Sequence, residues 1–224
     1  MNFLDLCKRV RSECGISGNG PLSVNNQTGE SARIVGWVAS AYGDIQMKRP
    51  NWLWMKGSFS FNTTPNEGIY TSGQAGIVSR FLAWDILSLS VYSQASGVSD
   101  AAFLQYVPYP DFRDAFLTGT PIRGKPFNFS VAPNKNLVIN PISDQVHTVS
   151  GEYYKSNQFL TGNMDIPEMP EQYHEAIVYR AMMKYGRYEA AGEIYGDAEK
   201  EYKRIINQME LHELPSIVAA QTLE

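Results

Sequence analysis

Gly151-Glu-Tyr-Tyr154, followed by Asp165-Ile-Pro-Glu-Met-Pro170 and the run from Glu171 to Pro215, is the stretch that decides the architecture. It reads as the end of a strand, a Pro-bounded loop, and two helical segments broken only around Gly186. Residues 171–185 are apolar on much of their surface, through Tyr173, Ala176, Ile177, Tyr179, Ala181, Met182 and Met183. A helix with so broad an apolar face packs on more than one side. The next helix, over about 188–213, keeps a narrower stripe of Ala191, Ile194, Tyr195, Ala198, Tyr202, Ile205, Ile206 and Met209. Its other face carries Glu193, Asp197, Glu199, Lys200, Lys203 and Arg204, of which Glu199 and Lys203 form an attractive i,i+4 pair. The block ends in the apolar tail Leu214-Pro-Ser-Ile-Val-Ala-Ala220. A charged helix and an apolar tail are tools for docking other subunits, and no catalytic constellation accompanies them.

Upstream of this block the period changes from helical to alternating. Ser58-Phe-Ser-Phe61, Leu87-Ser-Leu-Ser-Val-Tyr92 and Phe127-Asn-Phe-Ser-Val131 read as strands. Pro133-Asn-Lys-Asn136 reads as a hairpin loop leading into Leu137-Val-Ile139. A last strand runs from His147 to Tyr154, and Phe112, Ala115 and Phe116 mark a helical interruption over 111–117. Further upstream, Asn2 and Asp5 approximate a capping box for a helix with Phe3, Leu4, Leu6, Cys7 and Val10 on its apolar face, stopped by Gly15. A second helix over 30–48 carries Ile34, Trp37, Val38, Ala41, Tyr42 and Ile45 at buried spacing, with Asp44 and Lys48 as an i,i+4 pair before Pro50. The expected fold is α+β. Residues 1–50 and 165–224 form a helical domain with a C-terminal tail, and 51–164 form an inserted, mostly antiparallel, sandwich-like β domain.

Composition narrows the function classes. The chain has 224 residues, 43% hydrophobic, which is enough to bury a core as one domain or two small ones. A net charge of −4 supplies no basic patch for phosphate neutralisation. No apolar run approaches the ~18 residues of a membrane span, and the start lacks a signal-peptide pattern, so a soluble, cytosolic origin is expected. Cys7 and Cys14 lie about 10 Å apart along one helix, beyond the roughly 7 Å a disulfide tolerates, and read as buried small residues.

Sites of chemistry fail on their own requirements. No Gly-x-Ser-x-Gly elbow exists to pair a serine with His147, His174 or His212. Glu171-Gln-Tyr-His174 has the spacing of a di-iron ligand pair but lacks its second half. His174-Glu175 opens like a zinc-protease helix, yet Val178 stands where the second histidine belongs. Gly15-Ile-Ser-Gly-Asn-Gly20 follows a helix, not a strand, and lacks the order of a nucleotide loop. No catalytic, cofactor-binding or metal-binding residue is therefore expected. Trp52, Trp54, Phe59 and Phe61 leave one alternative, a carbohydrate-binding β-sandwich that stacks sugars on these rings, against their use in a core or an interface.

In order along the chain, several motifs resemble a known family. They are the opening helix with Gly15-Ile-Ser-Gly18, Thr28-Gly-Glu, Ile34-Val-x-Trp37-Val, Arg49-Pro-Asn-Trp52 and Asp85-Ile-Leu-Ser-Leu-Ser-Val-Tyr92. Phe112-Arg-Asp-Ala-Phe, Gly124-Lys-Pro126, Gly151-Glu-Tyr-Tyr154, Met169-Pro-x-x-Tyr-His174 and the long helix ending at Leu214-Pro215 follow. Together they resemble the head-to-tail adaptor (connector, or neck) proteins of tailed bacteriophages. The likeness is closer to the adaptors of phages with SU-ten-like connectors and looser to the tail tubular A proteins of short-tailed phages. The resemblance implies a structural, non-enzymatic virion protein of the neck, assembled in the host cytoplasm, in a ring of about twelve subunits that closes through heterologous contacts. Its partners would be the portal protein and a tail or second neck protein, with double-stranded DNA passing through without sequence-specific binding. By position, Leu214, Pro215, Ile217, Val218 and Leu223 would dock on the portal. Trp52, Trp54, Glu193, Asp197, Lys200 and Arg204 would meet neighbouring subunits or the tail.

Overall fold

The computed structural model describes residues 1–18 and 20–215. In chain order it opens with α1 (Phe3–Glu13) and α2 (Gly29–Lys48), then β1 (Lys56–Asn62), β2 (Ile69–Tyr70), β3 (Phe81–Trp84) and β4 (Ser90–Ser93). β5 (Ala102–Phe103), β6 (Gln105–Tyr106), α3 (Tyr109–Phe116), β7 (Asn128–Val131), β8 (Leu137–Asn140) and β9 (His147–Lys155) follow. The chain closes with α4 (Glu175–Tyr188) and α5 (Gly192–Glu213). The class is α+β, with helices in the N- and C-terminal parts of the sequence and two sheets in the stretch between. Two compact units divide it: Met1–Met55 with the chain from Asn157 onward, and Lys56–Ser156.

The helical unit is organised by sequence signals at its helix ends. Asn2 caps α1 by accepting from the Asp5 N–H, while the Asp5 side chain reaches back to the cap backbone, a complete capping box. Gly15, at φ +67°, turns the chain after α1. Cys7 and Cys14 are free and buried, and burial pushes both thiols up to about 12. The core gathers Phe3, Leu6, Val10, Ile34, Val38, Tyr42, Ile45 and Trp52 with Ile177, Ala181, Ile205 and Met209. α4 is buried along most of its length, as its broad apolar face demands.

Gly186 corrects the reading of the C-terminal block. It lies inside α4, not at a break, and α5 begins at Gly192. A Cβ at Gly186 would stand 3.1 Å from both the Cβ and the backbone N of Tyr195 and 3.2 Å from the Ala191 carbonyl oxygen. The glycine serves close approach by the start of α5. The helix ends at Tyr188, beyond which Ala190 takes φ +54° and the Ala191 N–H donates to the Gly186 carbonyl at 2.9 Å. That is the hydrogen bond of a Schellman end, here with alanine at the left-handed position. Asp44 and Lys48 also depart from expectation. Asp44 pairs with Arg180 and Lys184 of α4, and Lys48 with Glu210 of α5, because tertiary cations and anions lie nearer than the i,i+4 partner.

In the β unit, β9 is the spine of one sheet, pairing antiparallel with β1 along one side and with β4 and β3 on the other, while β5 extends β4. The second sheet runs β2-β8-β7-β6, antiparallel except for the parallel pair of β6 with β7. The β7–β8 hairpin turns at Ala132–Asn136, with Lys135 at φ +67°. Both sheets feed one core, which includes Phe59, Phe61, Val91 and Val149 from the first and Tyr70, Phe129, Leu137 and Ile139 from the second. Gly57 opposes Tyr153, and Gly151 opposes Phe59. A Cβ on Gly57 would meet the Tyr153 ring at 2.6 Å, and one on Gly151 the Phe59 ring at 3.2 Å. Each aromatic thus lies over a glycine in the neighbouring strand, which covers backbone that a glycine strand leaves bare.

Candidate functional site

The aromatic residues singled out from the sequence face inward. Trp52 is wholly buried in the helical core, and its indole N–H donates to the Ile45 carbonyl at 3.0 Å. Trp54 is half-buried and stacks between Tyr42, at 6.3 Å, and Trp52, at 6.4 Å. Phe59 and Phe61 lie on the buried side of β1, because the Ser-Phe-Ser-Phe alternation sends the serines outward. Sugar stacking needs an open ring face, and Trp52, Phe59 and Phe61 are at most 8% exposed. The same burial leaves Trp52 no surface for a neighbouring subunit.

The charged residues of α5 lie where the spacing places them. Glu193, Asp197, Lys200 and Arg204 are all exposed, four residues then three then four apart, on one stripe of the helix. Arg204 pairs with Glu201 at 2.8 Å and Lys203 with Glu199 at 3.1 Å, both within the helix. The buried side of α5 is fixed by cross-links to its neighbours. Glu210 receives Arg49 at 3.1 Å and Lys48 at 3.4 Å. Burial alone would raise the Glu210 carboxyl, but these cations outweigh it and hold it below the usual value. The Tyr173 hydroxyl lies 2.8 Å from His212 Nδ1. At the end of the helix Leu214 turns to extended backbone and packs against the helical core, while Pro215 is exposed. Ile217, Val218 and Leu223 lie outside the described residues.

Asp44 anchors α4 to α2. Its Oδ2 accepts from Arg180 at 2.8 Å and Lys184 at 3.0 Å. Desolvation pushes its carboxyl upward, and the hydrogen bonds and charges of Lys184 and Arg180 more than reverse that. The outer face of α5 is thereby presented by a framework fastened at Asp44 and at Glu210.

Two further surfaces escaped the sequence reading. The chain between the sheet and α4 presents Phe159, Met164 and Ile166 to solvent, at 82%, 75% and 60% exposure. This segment is held firmly. Asp165 Oδ2 accepts from the Thr161 and Gly162 N–H groups at 2.7 and 2.8 Å, bonds that lower its carboxyl from the ordinary value. Asn163 Oδ1 accepts from the Val24 N–H at 2.7 Å, and the Phe3 N–H donates to the Asp165 carbonyl at 2.8 Å. The second surface surrounds the α4–α5 corner. Arg33 sits 4.6 Å over the Tyr188 ring, Trp37 lies 5.6 Å from the same ring, and Arg187 lies 5.3 Å over Tyr195. Arginine, tyrosine and tryptophan are the residues that most often carry contact energy between proteins. Isolated apolar residues in a Pro-bounded loop were the only signal for the first surface. The second joins residues far apart in sequence and had none.

Among the described residues no group of three or more His, Cys, Asp and Glu side chains could hold a metal ion, and no helix is long and apolar enough to cross a membrane. The described residues thus present a charged helix face, a fastened apolar segment and arginine–tyrosine pairs on an α+β frame. The family model described as SU10 adaptor protein matches residues 1–220, and the chain belongs to that family. It is accordingly a head-to-tail adaptor of tailed bacteriophages, with a structural role in the virion. The match by itself does not show the looser likeness to the tail tubular A proteins. No curated protein matches the chain.

Proposed function

We propose that this adaptor forms a ring of about twelve copies beneath the portal, closed by heterologous contacts. In this reading the helical unit surrounds the DNA channel, and the β unit forms the outer rim that receives a tail or second neck protein. The observation that carries it is the family match over nearly the whole chain. The two divided units of the proposal are the helical one, expected over 1–50 and 165–224, and the inserted β domain over 51–164. Double-stranded DNA passes without sequence-specific binding, in keeping with a chain of net charge −4 that has no excess of cations to grip phosphates. The protein assembles in the host cytoplasm and acts without catalysis or cofactor.

Leu214, Pro215, Ile217, Val218 and Leu223 dock on the portal, and α5 projects toward that contact from its anchorage at Glu210. Trp54, Glu193, Asp197, Lys200 and Arg204 supply contacts between subunits or with the tail. Mass photometry of portal rings from the same phage, mixed with this protein, tests the reading. A discrete gain of about twelve subunits, lost when residues 214–224 are deleted, is the expected result. Binding that survives the deletion would move the anchor to the helices, and no association at any salt concentration would refute the portal contact.

A further inference from the structure

Natural sheets protect their outer strands, because an open row of N–H and C=O groups is a template for another chain. Four of the outer strands in the β unit conform. β2, β5 and β6 are two residues long each, and β3 breaks its register against β9 between Phe81 and Ala83. Next to β5, the Ser93 N–H of β4 is taken by the Asp100 carboxylate at 3.1 Å, and Asp100 is held in turn by Lys125 at 2.7 Å. β1 is the exception. It runs for seven residues, pairs only with β9, and holds neither proline nor bulge.

The direction of its free groups follows from its partner. The Thr63 N–H donates to the His147 carbonyl, whereas the Glu152 carbonyl accepts from Asp85 on the opposite side of β9. By alternation, Gly57, Phe59 and Phe61 face β9, and the backbone groups of Lys56, Ser58, Ser60 and Asn62 point away from the sheet. Ser58, Ser60 and Asn62 are exposed, so nothing covers that edge among the described residues. Lysine often guards an edge, but the Lys56 ammonium is turned onto its own sheet, 2.7 Å from Asp85 and 3.0 Å from Glu152.

This edge is complementary to itself. Laid antiparallel about Phe59, two copies of β1 set Ser58 against Ser60 and Lys56 against Asn62, and every outward N–H and C=O of these four residues finds a partner. No like charges meet, and small serines flank the seam. We propose that the unassembled protein pairs with a second copy through β1, forming one continuous sheet across a two-fold axis. Such a contact is isologous and cannot recur around a cyclic ring. The pairing is therefore a property of the free protein, which shields the edge until assembly, and it stands or falls separately from portal binding.

The test is sedimentation velocity of the purified protein over a concentration series, with amide hydrogen exchange on the same samples. The expected result is a monomer–dimer equilibrium in which the Ser58 and Ser60 amides slow as the dimer fills. Ser60→Pro removes an outward N–H without touching the β1–β9 ladder, and it should leave a folded monomer. Ser58→Lys with Ser60→Lys puts like charges across the seam and should give the same outcome should proline disturb the strand. Ser60→Thr should remain dimeric. A monomer at every concentration would overturn the proposal, as would a dimer that survives both edge variants. A dimer in which Ser58 and Ser60 exchange at the monomer rate would place the contact elsewhere and overturn it equally.

Discussion

The helical unit and the β unit solve the same packing problem with different materials. In the helical unit, directed polar links fasten the elements: Asp44 to Arg180 and Lys184 and Glu210 to Lys48 and Arg49 over long sequence distances, and Trp52 locally to the Ile45 carbonyl. In the β unit, aromatic rings laid over glycines do this work, Tyr153 over Gly57 and Phe59 over Gly151. The first arrangement fixes helix positions through directed bonds while leaving a charged face outward. The second fixes strands by shape and leaves a backbone edge unpaired. The helical unit is thus built to present side chains, the β unit to present backbone.

Substitutions can break this contrast, and the largest effect should come from Trp52. Trp52→Ala removes the biggest fully buried side chain of the helical core and should cost about 3–5 kcal/mol in urea unfolding. Gly186→Ala sharpens the account of the α4–α5 corner. A helix-interior glycine that only weakens its helix would gain up to about 1 kcal/mol on replacement by alanine. The 3.1 Å approach of Tyr195 instead predicts a loss of about 1–3 kcal/mol. Asp44→Asn should cost less, about 1–2 kcal/mol, since the site is partly open to solvent and screening reduces it.

A smaller effect is expected from pH. His174 is buried in the helical unit, and desolvation holds its imidazole below the ordinary value of 6.5. A histidine depressed in the folded state takes up its proton more readily when unfolded. Its contribution is therefore fully present above the ordinary value and is lost as pH falls below it. The urea midpoint should decline there, at higher pH than the loss expected when Asp44 and Glu210 protonate, and His174→Asn should flatten that part of the profile. The smallest effect on folding belongs to Lys200→Glu with Arg204→Glu, which should change stability by no more than about 0.5 kcal/mol while weakening association with portal or neighbours.

Much of this layout was legible in local chemistry. The Asn2–Asp5 capping box, the Pro133–Asn136 turn, the alternation of β1 and the outward stripe of α5 are all signals contained within a few residues. The misreadings share one cause, which is a partner supplied by a different element of the fold. Gly186 looks like a helix breaker until Tyr195 is seen against it, and Asp44 looks paired with Lys48 until α4 brings Arg180 and Lys184 closer. Trp52, expected at an interface, is instead core, as its complete burial and its bond to the Ile45 carbonyl show. The Arg33–Tyr188 pair and the solvent-facing Phe159, Met164 and Ile166 have no local pattern at all. Sequence spacing placed the charged stripe of α5 outward, while the open edge of β1 emerges only from knowing which strands stand beside it.

The central claim is that the helical unit, through α5 and the chain beyond it, meets the portal. Hydrogen exchange of the protein, free and bound to portal rings of the same phage, tests this most directly. The account predicts new protection concentrated from residue 205 to the end of the chain, with β7 and β8 unchanged. Protection confined to residues 56–156, with α5 exchanging as in the free protein, would contradict it.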